Sequence, residues 1–412
     1  MYEQPTVQRS HPLVAKVSTR RRSGHLILNW LAFSLCYPLG NLLAQQQQVR
    51  RSLALPIDAA IPFVPWMILP YLTSSIFFAL VFFLVHTQEQ LRVASRRLLM
   101  ATVAGCLVFV VAPARFSLLR PPETNTVPAA LFRLLDLVDQ PYNQFPSLHV
   151  AYCLIFWFAL RPLSKGLMRT LLAAWLWLVG ASTIFTWQHH LLDVAGGLLL
   201  GSFVIYAVRP GATCRSTVSF YYAILAGMLL LAGFATQHSW VAAYAAASML
   251  LVAAAYRARN ADFLLKHAGR HPLLRWLMFW PYLAGYRLTW ILVRLRERRR
   301  PSFTKSGPGL WIGRRLTSAE AKLLPAECHV IDLCTELSET ATLCGERYHH
   351  IPLLDLQAPS PQQLRKVMAT LAQLHENGAP VYVHCAMGYS RCRLIARLYH
   401  RKGRQCPTQS TS

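Results

Sequence analysis

The chain has 412 residues, of which 54% are hydrophobic and only 14% charged. That apolar share exceeds what a globular core requires and excludes an ordinary water-soluble protein. The formal net charge is +25, but the arginines sit in short clusters between apolar runs, without interleaved aromatics for base stacking, so no nucleic-acid partner is expected.

Residues 1–24 read as a cytoplasmic tail. Arg20, Arg21 and Arg22 precede the first apolar run and no small-residue cleavage site follows it, so that run is expected to remain as an anchor. Runs near the ~20 residues a bilayer demands lie at about 26–44, 65–86, 98–113, 148–162, 170–187, 191–208, 218–236 and 239–256. They predict a polytopic helical membrane domain of about eight spans over residues 25–260. With the N-terminus inside, Arg92, Arg96, Arg97, then Arg161, Lys165, Arg169, then Arg209 and Arg215, then Arg257 and Arg259 fall on the cytoplasmic side, as the positive-inside bias requires. Arg50, Arg51, Arg115, Arg120 and Arg133 fall outside, and the last three have a chemical reason to be there.

Three clusters lie near the outer ends of these spans: Arg115 to Pro121, Phe145-Pro146-Ser147-Leu148-His149, and His189-His190-Leu191-Leu192-Asp193. His149, His189 and Asp193 at helix ends, with Arg120, supply complementary phosphate chemistry. The clusters resemble those of the type 2 phosphatidic acid phosphatase superfamily, particularly its sphingolipid-synthase-like membrane branch, over roughly residues 60–210. The resemblance implies that His189 attacks phosphorus, Asp193 orients its ring, His149 protonates the leaving group, and Arg120 with Ser147 holds oxygens; His190 is a bystander. Pro113 stands where a lysine is expected and Thr183 where an arginine is expected, with Arg115 as the candidate substitute. Fewer cations suit a phosphodiester, so head-group transfer stays open beside monoester hydrolysis.

Residues 261–304 read as an interfacial helix and basic linker. Arg275 and Arg287 are expensive at mid-bilayer, so residues 272–296 are expected in the cytoplasmic interface, with Trp276, Trp280, Tyr282 and Tyr286 at head-group depth. The alternative, a ninth span, would move the following domain to the other face. The arginine run from Arg294 to Arg300 closes the membrane part.

Residues 305–412 alternate short apolar strands (309–312, 329–333, 349–353, 380–384) with helical stretches (318–324, 361–376, 391–400), which predicts an α/β layer structure. Six of the ten cysteines (Cys328, Cys334, Cys344, Cys385, Cys392, Cys406) lie here, with no Cys-x-x-Cys pair and no zinc-type histidine spacing, as fits a reduced compartment and no metal. The last strand runs into His384-Cys385-Ala386-Met387-Gly388-Tyr389-Ser390-Arg391. A cysteine at a strand end, a loop of inward amides through Gly388 and Ser390, and an arginine opening a helix make a phosphate cradle. The same field lowers the Cys385 pKa and yields a thiolate nucleophile.

This segment resembles the dual-specificity branch of the protein tyrosine phosphatases, signature His-Cys-x-x-Gly-x-x-Arg, over about residues 305–400. The resemblance implies a general-acid Asp on a loop some thirty residues upstream, matched by Asp355. Asp332, inside an apolar strand, is read as structural. Cys392 replaces the usual Ser or Thr after the arginine, implying slow hydrolysis of the phosphocysteine or a redox partner for Cys385. Only 21 residues follow Arg391, so a truncated domain is expected. The predicted protein is therefore a bacterial-type inner-membrane phosphatase with a cytoplasmic cysteine-dependent domain acting on phosphoprotein or phospholipid monoesters. A second, histidine-dependent lipid phosphate site lies in the bilayer, and no cofactor is needed. The rival readings are a lipid head-group transferase with a regulatory soluble domain, and a non-catalytic phosphate-binding scaffold.

Overall fold

The computed structural model describes residues 17–49, 51–121, 126–137, 139–211, 217–236 and 239–405; Arg50, Arg215 and Cys406 lie outside them. The chain divides into two units, Met1–Arg215 with Gly227–Ala243, and Ser216–Ala226 with Tyr244–Ser412.

The helices of the apolar part are α1 (Thr19–Gln46), α2 (Ile68–Leu84), α3 (Gln88–Val111), α4 (Val127–Asp136), α5 (Leu148–Leu160), α6 (Gly166–Phe185), α7 (Leu191–Ala207), α8 (Thr217–Thr236) and α9 (Ser239–Arg257). All eight apolar runs are helical. Among the described residues six helices are long and apolar enough to cross a membrane, whereas Leu148–Leu160 and Leu191–Ala207 are shorter apolar helices. Helix α3 is the enclosed one, with α1, α5 and α7 packed on it. It begins earlier than its apolar run because Thr87 and Gln90 form a capping box. Arg96 and Arg97, expected in a loop, are therefore helical and buried, and Arg97 Nε donates to the Val208 carbonyl at 3.1 Å. Gly197 lets α7 close on the start of α5: a Cβ there would lie 2.5 Å from the Ser147 carbonyl oxygen.

The second unit adds α10 (Leu273–Met278) and α11 (Trp280–Arg296), then β1 (Phe303–Gly307), β2 (Leu310–Arg314), α12 (Ser318–Ala321), β3 (His329–Cys334), β4 (Tyr348–Leu353), α13 (Pro361–Glu376), β5 (Val381–Cys385) and α14 (Arg391–Gln405). The sheet order is β1-β2-β5-β3-β4, with β1 antiparallel to β2 and the other pairings parallel. Helices α13 and α14 bury Val367, Leu371, Cys392 and Ile395 against Ile331, Leu333 and Val383. Cys385 ends the strand between β2 and β3, at the edge where parallel α/β sheets place their sites.

The segment read as an interfacial helix and linker also makes buried contacts with this sheet. Lys266 is 4% exposed and its ammonium bonds Asp332 and the carbonyls of Cys334 and Leu337. Tyr282 is buried and Tyr286 half-buried within the unit, packed toward the sheet rather than outward, whereas Trp276 and Trp280 are exposed.

Candidate active sites

In the first unit the second and third sequence clusters meet. The Ser147 N–H donates to the Asp193 carbonyl at 2.9 Å, tying the start of α5 to the start of α7. His149 stacks on Tyr71, centroids 4.2 Å apart, and lies 6.2 Å from the His189 ring. His189 Nδ1 is 3.6 Å from Asp193 Oδ2, whose nearer partner is the His190 N–H at 2.8 Å. Among the described residues neither His189 Nδ1 nor Asp193 Oδ1 has a hydrogen-bond partner. The pair is thus adjacent and buried but not closed, an arrangement that a bound anion can tighten. Thr183, where an arginine was expected, accepts the Gln188 and His189 N–H groups on its carbonyl at 3.1 and 3.0 Å, which sets the turn before His189.

Two expected phosphate contacts are otherwise engaged. Ser147 is fully buried and its hydroxyl accepts the Val150 N–H, capping α5. Arg120 pairs with Asp136 and lies over the Phe132 ring at 4.8 Å. Arg120, Arg115 and Arg133 nonetheless line one polar cavity of about 450 Å³. An apolar cleft of about 630 Å³, walled by Trp30, Phe33, Phe78 and Tyr152, reaches His149. Asp139 lines both cavities and accepts the Tyr37 and Tyr71 hydroxyls at 2.7 and 3.4 Å. Sequence reasoning passed over this carboxylate; its place in the loop before the Phe145–His149 cluster was the available signal. His190, read as a bystander, is buried against Phe116 with its Nε2 3.3 Å from the hydroxyls of Ser52 and Ser117.

In the second unit the ends of the parallel strands converge. Gly388 has φ +75°, and a Cβ there would meet Arg314 N and Gly313 C at 2.9 Å. Gly388→Ala is therefore expected to spread the loop, costing about 1–3 kcal/mol in backbone strain and abolishing phosphate or vanadate binding measured by calorimetry. The Cys385 thiol, buried at the end of β5, has its pKa well below the ordinary value. The Cys392 thiol, its sulfur 3.7 Å away, contributes most; Arg391 and the backbone N–H groups of Cys392 and Gly388 add to it, against burial. Cys392 is pushed up in turn, first by that contact and then by burial, and also contacts the Gly313 carbonyl at 3.4 Å.

Arg391 is held from behind. Its Nη1 donates to both oxygens of Glu336 (3.2 and 3.0 Å) and to the carbonyls of Leu333 and Leu353 (3.3 and 2.8 Å). Burial, then the Asp355 charge, raises the Glu336 pKa, with Arg391 opposing. Glu336 was not found from sequence because it follows β3 in a polar stretch with no motif. Asp355, just past β4, receives the Ser390 hydroxyl on Oδ1 at 3.3 Å, with Arg391 Nε 3.5 Å from the same oxygen. Of the four sequence-predicted residues, Ser390, Asp355 and Arg391 are thus linked in one network, and Cys385 is joined to it through the charge of Arg391.

Asp332 is buried and structural: it bonds Lys266, the Tyr348 hydroxyl and the Cys334 N–H. With Glu339 and His384 it offers ligand atoms within 4.8 Å of one another, but the Lys266 ammonium already supplies the positive charge there. His384, 2.8 Å from Glu339, has its pKa raised: burial alone would lower it, and the Glu339 and Asp332 carboxylates outweigh burial.

The PAP2 superfamily model matches residues 66–207. A model described as polymorphic toxin system, DSP-PTPase phosphatase, matches residues 329–403. No curated protein and no solved structure matches the chain. The chain therefore joins a PAP2 superfamily domain, residues 66–207, to a phosphatase domain of the DSP-PTPase family, residues 329–403.

Proposed function

We propose that the protein is a membrane-bound phosphatase whose residue 385 sulfur removes phosphate from monoesters, with a second, histidine-dependent lipid phosphate site among the apolar helices. The observation that carries this reading is the loop from Cys385 to Arg391, with its left-handed Gly388 and buried, depressed thiol. The thiolate attacks phosphorus and the P–O bond to the leaving group breaks. Asp355 gives the departing oxygen its proton, then takes one from the water that cleaves the S–P bond and releases inorganic phosphate. Arg391, fixed by Glu336, carries charge for the phosphoryl oxygens throughout.

At the membrane site His189 is the proposed nucleophile, Asp193 its orienting partner and His149 the proton donor. The apolar cleft that reaches His149 supports a substrate bearing a hydrocarbon chain, and the arginine-lined cavity supports a phosphate head group. Transfer of a head group is the second reading here, favoured by Asp139 where the two cavities adjoin, since a carboxylate there disfavours a dianionic monoester. Rapid quench with radiolabelled phosphotyrosine peptide and phosphatidic acid tests both sites. Label on Cys385 should survive acid, and label on His189 should be acid-labile. A scaffold would bind phosphate and retain no covalent label at Cys385.

A further inference from the structure

Helix α11 lies outside both family matches, yet it reaches the site around Cys385. The Tyr286 hydroxyl donates to Asp355 Oδ2 at 3.3 Å. Trp290, one turn on, is buried with Ala386 of the loop, with Met387 packed alongside. Its indole N–H donates to the Arg315 carbonyl at 3.0 Å. Tyr282, Tyr286 and Trp290 recur every four residues and form one stripe of the helix.

The opposite stripe is also apolar. Leu288, Ile291, Leu292 and Leu295 follow helical spacing and are 57%, 39%, 55% and 63% exposed. Arg287 borders it on one side and Arg296 on the other, both exposed, and exposed Arg298 follows in the turn after the helix. Trp276 and Trp280, also exposed, precede it. Apolar side chains edged by arginines and approached through tryptophans match the boundary between hydrocarbon and anionic head groups. The same chain carries six helices apolar enough to cross a bilayer, so such a surface is at hand.

We propose that α11 belongs both to the phosphatase site and to the bilayer surface: its inner stripe positions Asp355 and the Cys385 loop, its outer stripe lies in anionic lipid, and the site works on phosphate monoesters presented at that surface. The proposal rests on the reading of Cys385 as nucleophile. Tyr286 acts as a positioning residue. It holds one carboxylate oxygen of Asp355 while Ser390 and Arg391 hold the other, which fixes the proton donor relative to the leaving oxygen. Lipid seating of the outer stripe then sets where that inner wall stands.

The test uses the full-length protein in nanodiscs with His189→Ala throughout, so that the membrane site is silent. Tyr286→Phe is expected to lower kcat for a soluble alkyl phosphate about tenfold with KM little changed, and to affect p-nitrophenyl phosphate far less, because nitrophenolate leaves without a proton. Leu292→Glu with Leu295→Glu is expected to lower turnover of phosphatidic acid in phosphatidylglycerol discs about tenfold relative to turnover of p-nitrophenyl phosphate in the same sample. Equal losses on good and poor leaving groups, or an unchanged ratio of lipid to soluble turnover, overturn the proposal. So does a change in particle mass with the same ratio in phosphatidylglycerol and phosphatidylcholine discs, which would mean that a second copy covers the stripe. If Cys385→Ser retained p-nitrophenyl phosphate turnover, the nucleophile reading would fail on its own, whatever α11 does.

Discussion

Cys385→Ser is expected to lower turnover of a phosphotyrosine peptide by on the order of 10⁴-fold or more, while His189→Ala removes only the part of lipid-phosphate turnover that runs through the membrane site and spares the peptide. The serine hydroxyl is not ionised at neutral pH, whereas the thiol it replaces is held well below its ordinary value by Cys392, Arg391 and loop N–H groups. Iodoacetamide should therefore modify Cys385 faster than an ordinary cysteine at neutral pH, with vanadate protecting it. The sign of the linked stability follows. A depressed folded pKa stabilises the fold fully above the unfolded thiol value of about 8.5, and that contribution is lost as the pH falls through the folded value. Ordinary alkylation kinetics in the folded protein, or peptide turnover surviving in the serine variant, would overturn the assignment.

Glu336→Ala is expected to cost about 3–5 kcal/mol, because it strands the buried Arg391 guanidinium without its counter-charge. Glu336 is 1% exposed and takes Arg391 Nη1 on both oxygens, and the Cys334 thiol lies 3.3 Å from one of them. Glu336→Gln keeps acceptors for the same donors and should lose less. Pulse proteolysis in urea, scored by cleavage within residues 329–403, measures both; equal stability of the Ala variant and the parent chain would show that the pair contributes nothing. Peptide turnover should fall with Glu336→Gln as well, since Arg391 then lacks the charge that fixes its fork.

Much of this is legible in the sequence. The helical stretch read at residues 361–376 coincides with α13, which has Pro361 in its first turn. Four of the five strands were found as apolar runs, and Cys385 to Arg391 by the spacing of one cysteine, one glycine and one arginine. What stayed hidden was long-range. Strand β1, Phe-Thr-Lys-Ser-Gly, has neither apolar alternation nor bulk, and owes its strand form to pairing with β2. Glu336 and Lys266 look like ordinary loop charges until folding buries them. Tyr282 and Tyr286 were assigned to head groups because an aromatic, arginine-bordered helix has the same composition whether one face or both are covered. At the membrane site the His-x-x-x-Asp spacing put His189 near Asp193, but spacing could not say that Ser147 spends its hydroxyl on a helix cap.

The brevity of α5 has a consequence for how a reaction at His149 meets water. Its 13 residues reach about 20 Å at 1.5 Å per residue, some 10 Å short of a ~30 Å hydrocarbon slab. Both ends cannot rest at an aqueous boundary of an undistorted bilayer. On the proposed membrane reading, with exposed Arg161 drawn to the polar side, the His149 end would be recessed beneath the opposite one, and either the lipid would dimple inward to meet it or a hydrated funnel would run down to it. A substrate phosphate would then descend below its neighbours to react, and local membrane thickness would enter the rate.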